Sequence, residues 1–159
     1  MRANSVRMVK AGAVALLLWG VLHVFFGMYA LVSLWTDGSA SMMGVFGTDV
    51  TGTISDPGGL VTNVVAQHSA NLAILGVFGI VLARMMWQGS KLALGLSVLV
   101  LGSADVAFVI ALLIPGYIAL QDGLMGPMLF VASTALAGWG FYGKSSVARD
   151  GELARRAAV

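Results

Sequence analysis

Along this chain the apolar residues come in blocks, too long for the alternation of a half-buried strand or the single stripe of a surface helix. Four blocks, residues 11–35, 62–87, 91–114 and 124–143, hold most of them and carry almost no charge between their ends. At about 1.5 Å per residue, roughly 20 apolar residues cross the hydrocarbon core of a bilayer, so each block predicts a membrane-spanning helix. Helices satisfy their own backbone hydrogen bonds, which lipid cannot do for them. The punctuation agrees: Asp56-Pro57-Gly58-Gly59 releases the second block, Gln88-Gly89-Ser90 turns the second into the third, and Pro115-Gly116 stops the third. The pattern predicts an all-α integral membrane protein of four transmembrane helices in an antiparallel up-down bundle. It forms one domain over residues 11–143, with a basic segment at 1–10 and a basic tail at 144–159.

Charge orients the bundle. Arg2, Arg7, Lys10, Arg84, Lys91, Lys144, Arg149, Arg155 and Arg156 are all the basic residues, and each falls at the amino end, the second-to-third turn or the tail. The positive-inside rule then places both termini in the cytoplasm of a multi-pass protein of the cytoplasmic membrane. The connection 36–61, with Asp37, Asp49, Asp56, six glycines and no basic residue, falls outside. Within it Met42-Met43-Gly44-Val45-Phe46 is too apolar to float in water, and is expected to anchor at the membrane surface or fold over the helix ends as a lid.

Composition narrows the chemistry. With 58% hydrophobic and 10% charged residues the chain departs from soluble domains, in which about a quarter of residues are charged. There is no cysteine, which removes disulfides, iron–sulfur clusters and thiol catalysis. The net charge of +2 is explained by the orientation signals, so nucleic acid is not an expected partner. No Walker pattern, Gly-x-Ser-x-Gly elbow or His-Glu-x-x-His motif occurs, and the nine scattered methionines read as apolar filler.

What remains is a small set of polar residues inside apolar blocks. His23 sits in Trp19-Gly20-Val21-Leu22-His23-Val24-Phe25-Phe26-Gly27, Asp105 follows Gly102, and Gln67, His68 and Asn71 open the second block. Counting residues puts His23 about 18 Å below the outer surface, Asn71 and Asp105 at about 13 Å, His68 at about 9 Å, and Ser133-Thr134 at about 14 Å. Gly20 and His23, Gln67 and Asn71, and Gly102 and Asp105 are each spaced by three or four residues and so share helix faces. An ionisable group at such depth is costly and calls for a partner or water. His23, His68, Asn71 and Asp105 are therefore expected to point into a common interior, with His23 and Asp105 as an acid/base or structural pair. Gln67, His68, Asn71, Ser133 and Thr134 are the expected ligand-binding groups.

Two metal readings compete with that pocket. His23 and His68 on adjacent helices supply bis-imidazole ligands for haem b, but they differ by about 9 Å in depth, more than two axial ligands of one haem should. His23, His68 and Asp105 are zinc-ligand types without zinc-ligand spacing. No cofactor and no metal site is expected. In size and four-span layout the chain resembles small bacterial inner-membrane proteins of the DoxX-like kind, a likeness of architecture that implies no residue role. Its alanine, valine, glycine and arginine content is what a GC-rich bacterial genome encodes. The expected function is binding of a lipophilic ligand or lipid in a polar pocket in the outer half of the bundle. The alternatives are a membrane enzyme in which His23 and Asp105 act on an apolar lipid, a subunit of a larger membrane complex, and a bis-histidine haem b protein. Membrane lipids, a lipophilic small molecule, and a second copy or other subunits are the expected partners.

Overall fold

A computed structural model describes residues 3–37 and 59–143, and no strand occurs among them. The expected tail at 144–159 and most of the expected lid, residues 38–58, lie outside the described residues. Helix α1 runs from Ala3 to Asp37, α2 from Leu60 to Trp87, α3 from Lys91 to Leu113, a short turn α4 from Leu120 to Gly123, and α5 from Met125 to Tyr142. Three of these, α1, α2 and α3, are long and apolar enough to cross a membrane. Helix α5 has 18 residues, about 27 Å of helix.

Helix α1 starts eight residues before its apolar block, carrying Arg7 and Lys10 in its first turns. Hydropathy marks where lipid begins, whereas helical hydrogen bonding continues through charged residues into the aqueous boundary. At 35 residues, about 52 Å, α1 exceeds the thickness of the whole bilayer with its headgroups. Much of its surface is apolar and exposed, as at Phe25, Met28 and Val32, which suits contact with lipid rather than water.

Helix α1 is also the spine of the molecule, because its glycines let two antiparallel neighbours touch its backbone. A Cβ on Gly20 would lie 2.7 Å from the carbonyl oxygen of Gly76, and one on Gly27 would lie 2.6 Å from the amide of Ala73, both on α2. Towards α5 a Cβ on Gly12 would lie 2.7 Å from the Ser133 carbonyl oxygen, and one on Gly140 would lie 2.8 Å from that of Ser5. In lipid, helix association rests on such close packing and on interhelical hydrogen bonds, since apolar burial alone gains little there. Trp19, Leu16, Leu82, Met86 and Leu101 fill the space between the helices.

The turn between α2 and α3 is built as its residues dictate. Gly89 takes φ 90°, Ser90 N–H bonds to Met85 O at 3.1 Å and Gly89 N–H to Met86 O at 2.9 Å, the paired bonds of a Schellman stop. Ser90 Oγ then accepts from Ala93 N–H at 3.3 Å and caps α3. Two cation–π contacts mark the same end: Lys10 Nζ lies 4.8 Å from the Trp87 ring centre and Lys91 Nζ 5.1 Å from that of Tyr142.

Helix α3 is not a uniform α-helix. It widens into π-helix at Ser97–Leu101 and again at Val109–Leu113, on either side of the α-helical stretch Gly102–Phe108 that carries Asp105. Ala93, Ser97, Leu101, Asp105 and Leu113 are all buried, at intervals that are multiples of four. In an α-helix each step of four overshoots a full turn by about 40°, so such a row would wander around the helix. The wider π turns bring it back, and Asp105 stays on the inward face.

Candidate functional site

Three side chains meet at the centre of the described helices: Trp19 and His23 from α1 and Asp105 from α3. Trp19 and His23 are four residues apart and therefore stack one above the other, with ring centres 3.7 Å apart and planes 24° from parallel. The indole is fully buried, and its Nε1–H donates to Asp105 Oδ2 at 3.1 Å. His23 Nδ1 lies 2.8 Å from the carbonyl oxygen of Trp19. A carbonyl only accepts, so Nδ1 carries the hydrogen, and in the neutral ring Nε2 is an acceptor. That nitrogen faces Asp105 Oδ1 at 4.0 Å, within reach of a charge pair but too long for a hydrogen bond.

Small residues let the cluster close. A Cβ on Gly126 of α5 would lie 3.1 Å from His23 Cε1, a Cβ on Gly79 of α2 3.0 Å from the Trp19 ring, and a Cβ on Gly102 3.0 Å from the Phe130 ring. Beside Asp105, between α3 and α5, lies a groove of about 250 Å³ walled by Gly102, Val106, Val109, Ile110, Pro127 and Phe130. Its walls are almost wholly apolar, and the Asp105 oxygens are hardly open to it. Val106 and Ile110 at its rim are exposed, so its mouth faces outward from the helices. A hollow of about 320 Å³ at the other end of α1, beside Arg7 and Trp139, has no ionisable partner facing that arginine among the residues lining it.

No protein-family model, curated protein or solved structure matches this chain. The chemistry is therefore carried by the geometry alone.

Of the residues expected in one interior, His23 and Asp105 come together, and Gln67, His68 and Asn71 do not: all three are exposed on α2. Their spacing places them near one another, but the inward face of α2 is set by Gly76, Gly79 and Ser69. Asn71 lies about 140° around the helix from Gly76, and Gln67 about 180°. With His68 outside the cluster, no group of three or more His, Cys, Asp or Glu able to hold a metal occurs among the described residues. Thr134 donates back to Phe130 O at 3.0 Å within its own helix. Ser133 is fully buried, and its Oγ has no hydrogen-bond partner among the described residues.

Trp19 is the member of the site that sequence reasoning passed over, although it opens the stretch around His23. Two signals were available. A tryptophan deep in a span, rather than in the interfacial belt, needs a partner for its N–H, and position i−4 from a histidine shares its face.

Proposed function

We propose that this is a multi-pass protein of a bacterial cytoplasmic membrane that binds a lipophilic molecule in the groove between α3 and α5, beside Asp105. The observation that carries the reading is an apolar groove that opens outward beside Asp105, a residue 7% exposed whose carboxylate is held by Trp19 Nε1. Small-molecule sites have this composition, mostly apolar lining with few convergent polar groups. A groove whose mouth is rimmed by exposed valine and isoleucine suits entry from lipid. Native mass spectrometry of the full chain released from its membrane into mild detergent tests this. A retained lipophilic mass is expected in the wild type and is lost when Val106→Trp fills the groove. Equal retention in that variant, or no retained mass in either, overturns the reading.

In this arrangement α5 forms a fourth span, and both termini face the cytoplasm. The two lysine–aromatic contacts at one end of the helices, with Arg7 and Arg84 nearby in sequence, support that orientation. A cysteine at Ser41 is expected to react with an impermeant thiol reagent added outside intact cells, and one at Ser90 only after permeabilisation. Reversed labelling would invert the topology.

Two observations support other readings. The 4.0 Å approach of His23 Nε2 to Asp105 Oδ1 suits an acid/base pair in a membrane enzyme acting on an apolar lipid. The exposed Gln67, His68 and Asn71 on α2 suit hydrogen bonding to a second copy or another membrane subunit, because amides at that depth gain from a protein partner.

A further inference from the structure

We infer that the hollow between the amino end of α1 and the carboxyl end of α5 seats the headgroup of an anionic phospholipid, with Arg7 on its phosphodiester. The hollow lies apart from the groove and does not depend on it.

Helix packing sets its depth. Lys10 Nζ lies over the ring of Trp87, the last residue of α2, so Arg7, three residues earlier in α1, stands about one turn beyond the end of that apolar helix. Ser5 meets α5 at the same level, since a Cβ on Gly140 would lie 2.8 Å from its carbonyl oxygen. Trp87, Trp139 and Tyr142 are all exposed here, the aromatic belt by which spans meet the headgroup layer. The hollow of about 320 Å³, walled by Asn4, Ser5, Arg7, Met8 and Trp139, therefore opens among headgroups.

Its charge is one-sided. The acids of the described residues are Asp37, Asp105 and Asp122. Asp105 is level with Trp19, 12 residues or about 18 Å from Arg7 along α1, while Asp37 closes the far end of α1 and Asp122 precedes α5. Lys10 and Lys91 are held over aromatic rings, whereas the Arg7 side chain has no ion pair and no hydrogen bond among the described residues. Ser5 is nine-tenths buried and lines the same hollow, and its hydroxyl has no partner among the described residues either. A guanidinium, a hydroxyl and the Asn4 amide thus border one space with donors to give.

A phosphodiester is complementary to that set. Its two unesterified oxygens accept a bidentate guanidinium and keep lone pairs for the Ser5 hydroxyl and the Asn4 amide. A headgroup that also carries an ammonium would bring it to the end where Arg7, Lys10, Arg84 and Lys91 gather, so the ligand is net anionic rather than zwitterionic. The room suffices: a cavity of about 150 Å³ holds benzene, and about 320 Å³ accepts a phosphate with its glycerol. Met8 and Trp139 give the first carbons of the lipid an apolar wall.

The test uses the full chain, delipidated in mild detergent, with phosphatidylglycerol and phosphatidylethanolamine of identical acyl chains, read by native mass spectrometry. The wild type is expected to bind its first phosphatidylglycerol about fivefold more tightly than phosphatidylethanolamine. Arg7→Gln should bring the two to equal affinity, Ser5→Ala should weaken phosphatidylglycerol alone, and Arg7→Lys, which keeps the charge without the fork, should lose most of the preference. Arg84→Gln removes an equal charge at the same end but outside the hollow, and Val106→Trp fills the groove; both should keep the preference. Equal affinities in the wild type overturn the seat, as does an Arg84→Gln effect as large as that of Arg7→Gln, which reports net charge alone. If inorganic phosphate displaces the lipid, the hollow is a site for free anions and the lipid assignment falls. If the preference emerges only when Asp150→Asn and Glu152→Gln are made together, the acids of the tail occupy Arg7 and the proposal is overturned.

Discussion

Trp19→Ala is expected to be the most damaging single truncation in the molecule, costing about 3 kcal/mol or more of stability in detergent. The side chain has no exposed surface, packs across Gly79 and Phe130, and stacks on His23. Its removal leaves a cavity and also strips Asp105 of its one hydrogen-bond donor among the described residues. Trp19→Phe separates the two losses, because the ring largely refills the space while the N–H is gone. That variant should cost about 0.6 to 2 kcal/mol, in line with interhelical hydrogen bonds in membrane proteins and model peptides. Combined with Asp105→Ala in a double-mutant cycle, it should show a coupling above about 0.5 kcal/mol. Additive losses would mean that the indole and the carboxylate do not share a bond. Chemical unfolding in mixed micelles, followed by circular dichroism, reads all four proteins.

Gly76→Leu should be nearly as severe for a different reason. The Cβ position of residue 76 lies 2.6 Å from the carbonyl oxygen of Gly20 and 2.6 Å from the amide of Val24, so the obstruction is backbone and cannot swing aside. Any side chain there separates α1 from α2 along their contact. Even Gly76→Ala should cost about 1 to 3 kcal/mol, and leucine should prevent stable association of the two helices. The control is Gly95→Ala in α3, whose Cβ would meet nothing within 4 Å. It should be neutral or stabilise by up to about 1 kcal/mol, since glycine inside a helix is disfavoured. Equal effects at the two positions, in the same unfolding assay, would contradict close helix contact at Gly76.

How much of this was legible in the sequence follows from what each signal reports. Block hydropathy located α2 and α3 to within two residues at each end, because helix ends there coincide with glycine and proline punctuation at Gly59, Gly89 and Pro115. It misplaced the start of α1 because charge at Arg7 and Lys10 ends an apolar run without ending a helix. The cost of burying charge led to His23 and Asp105, which do approach, but depth counting says nothing of phase. Phase is what turned Gln67, His68 and Asn71 outward, and it was written in Gly76 and Gly79, whose backbone contacts fix the inward face of α2. The groove and the Trp19 bond were out of reach of any count along one helix, since both arise only where α1, α3 and α5 converge.

The two wide turns of α3 have a consequence in the language of insertions and deletions. A π turn holds one more residue than the α turn it replaces, so Ser97–Leu101 takes up a surplus residue while Asp105 keeps its inward facing. Removing one residue there lets the helix relax to α geometry with almost no net rotation, whereas a further added residue has no turn left to take it up and rotates everything beyond it by about 100°. The carboxylate would then swing from the Trp19 indole towards lipid. Length in this short stretch is thus constrained in one direction: loss of Val98 leaves the facing of Asp105 nearly unchanged, whereas one residue added beside it removes the site's anchor.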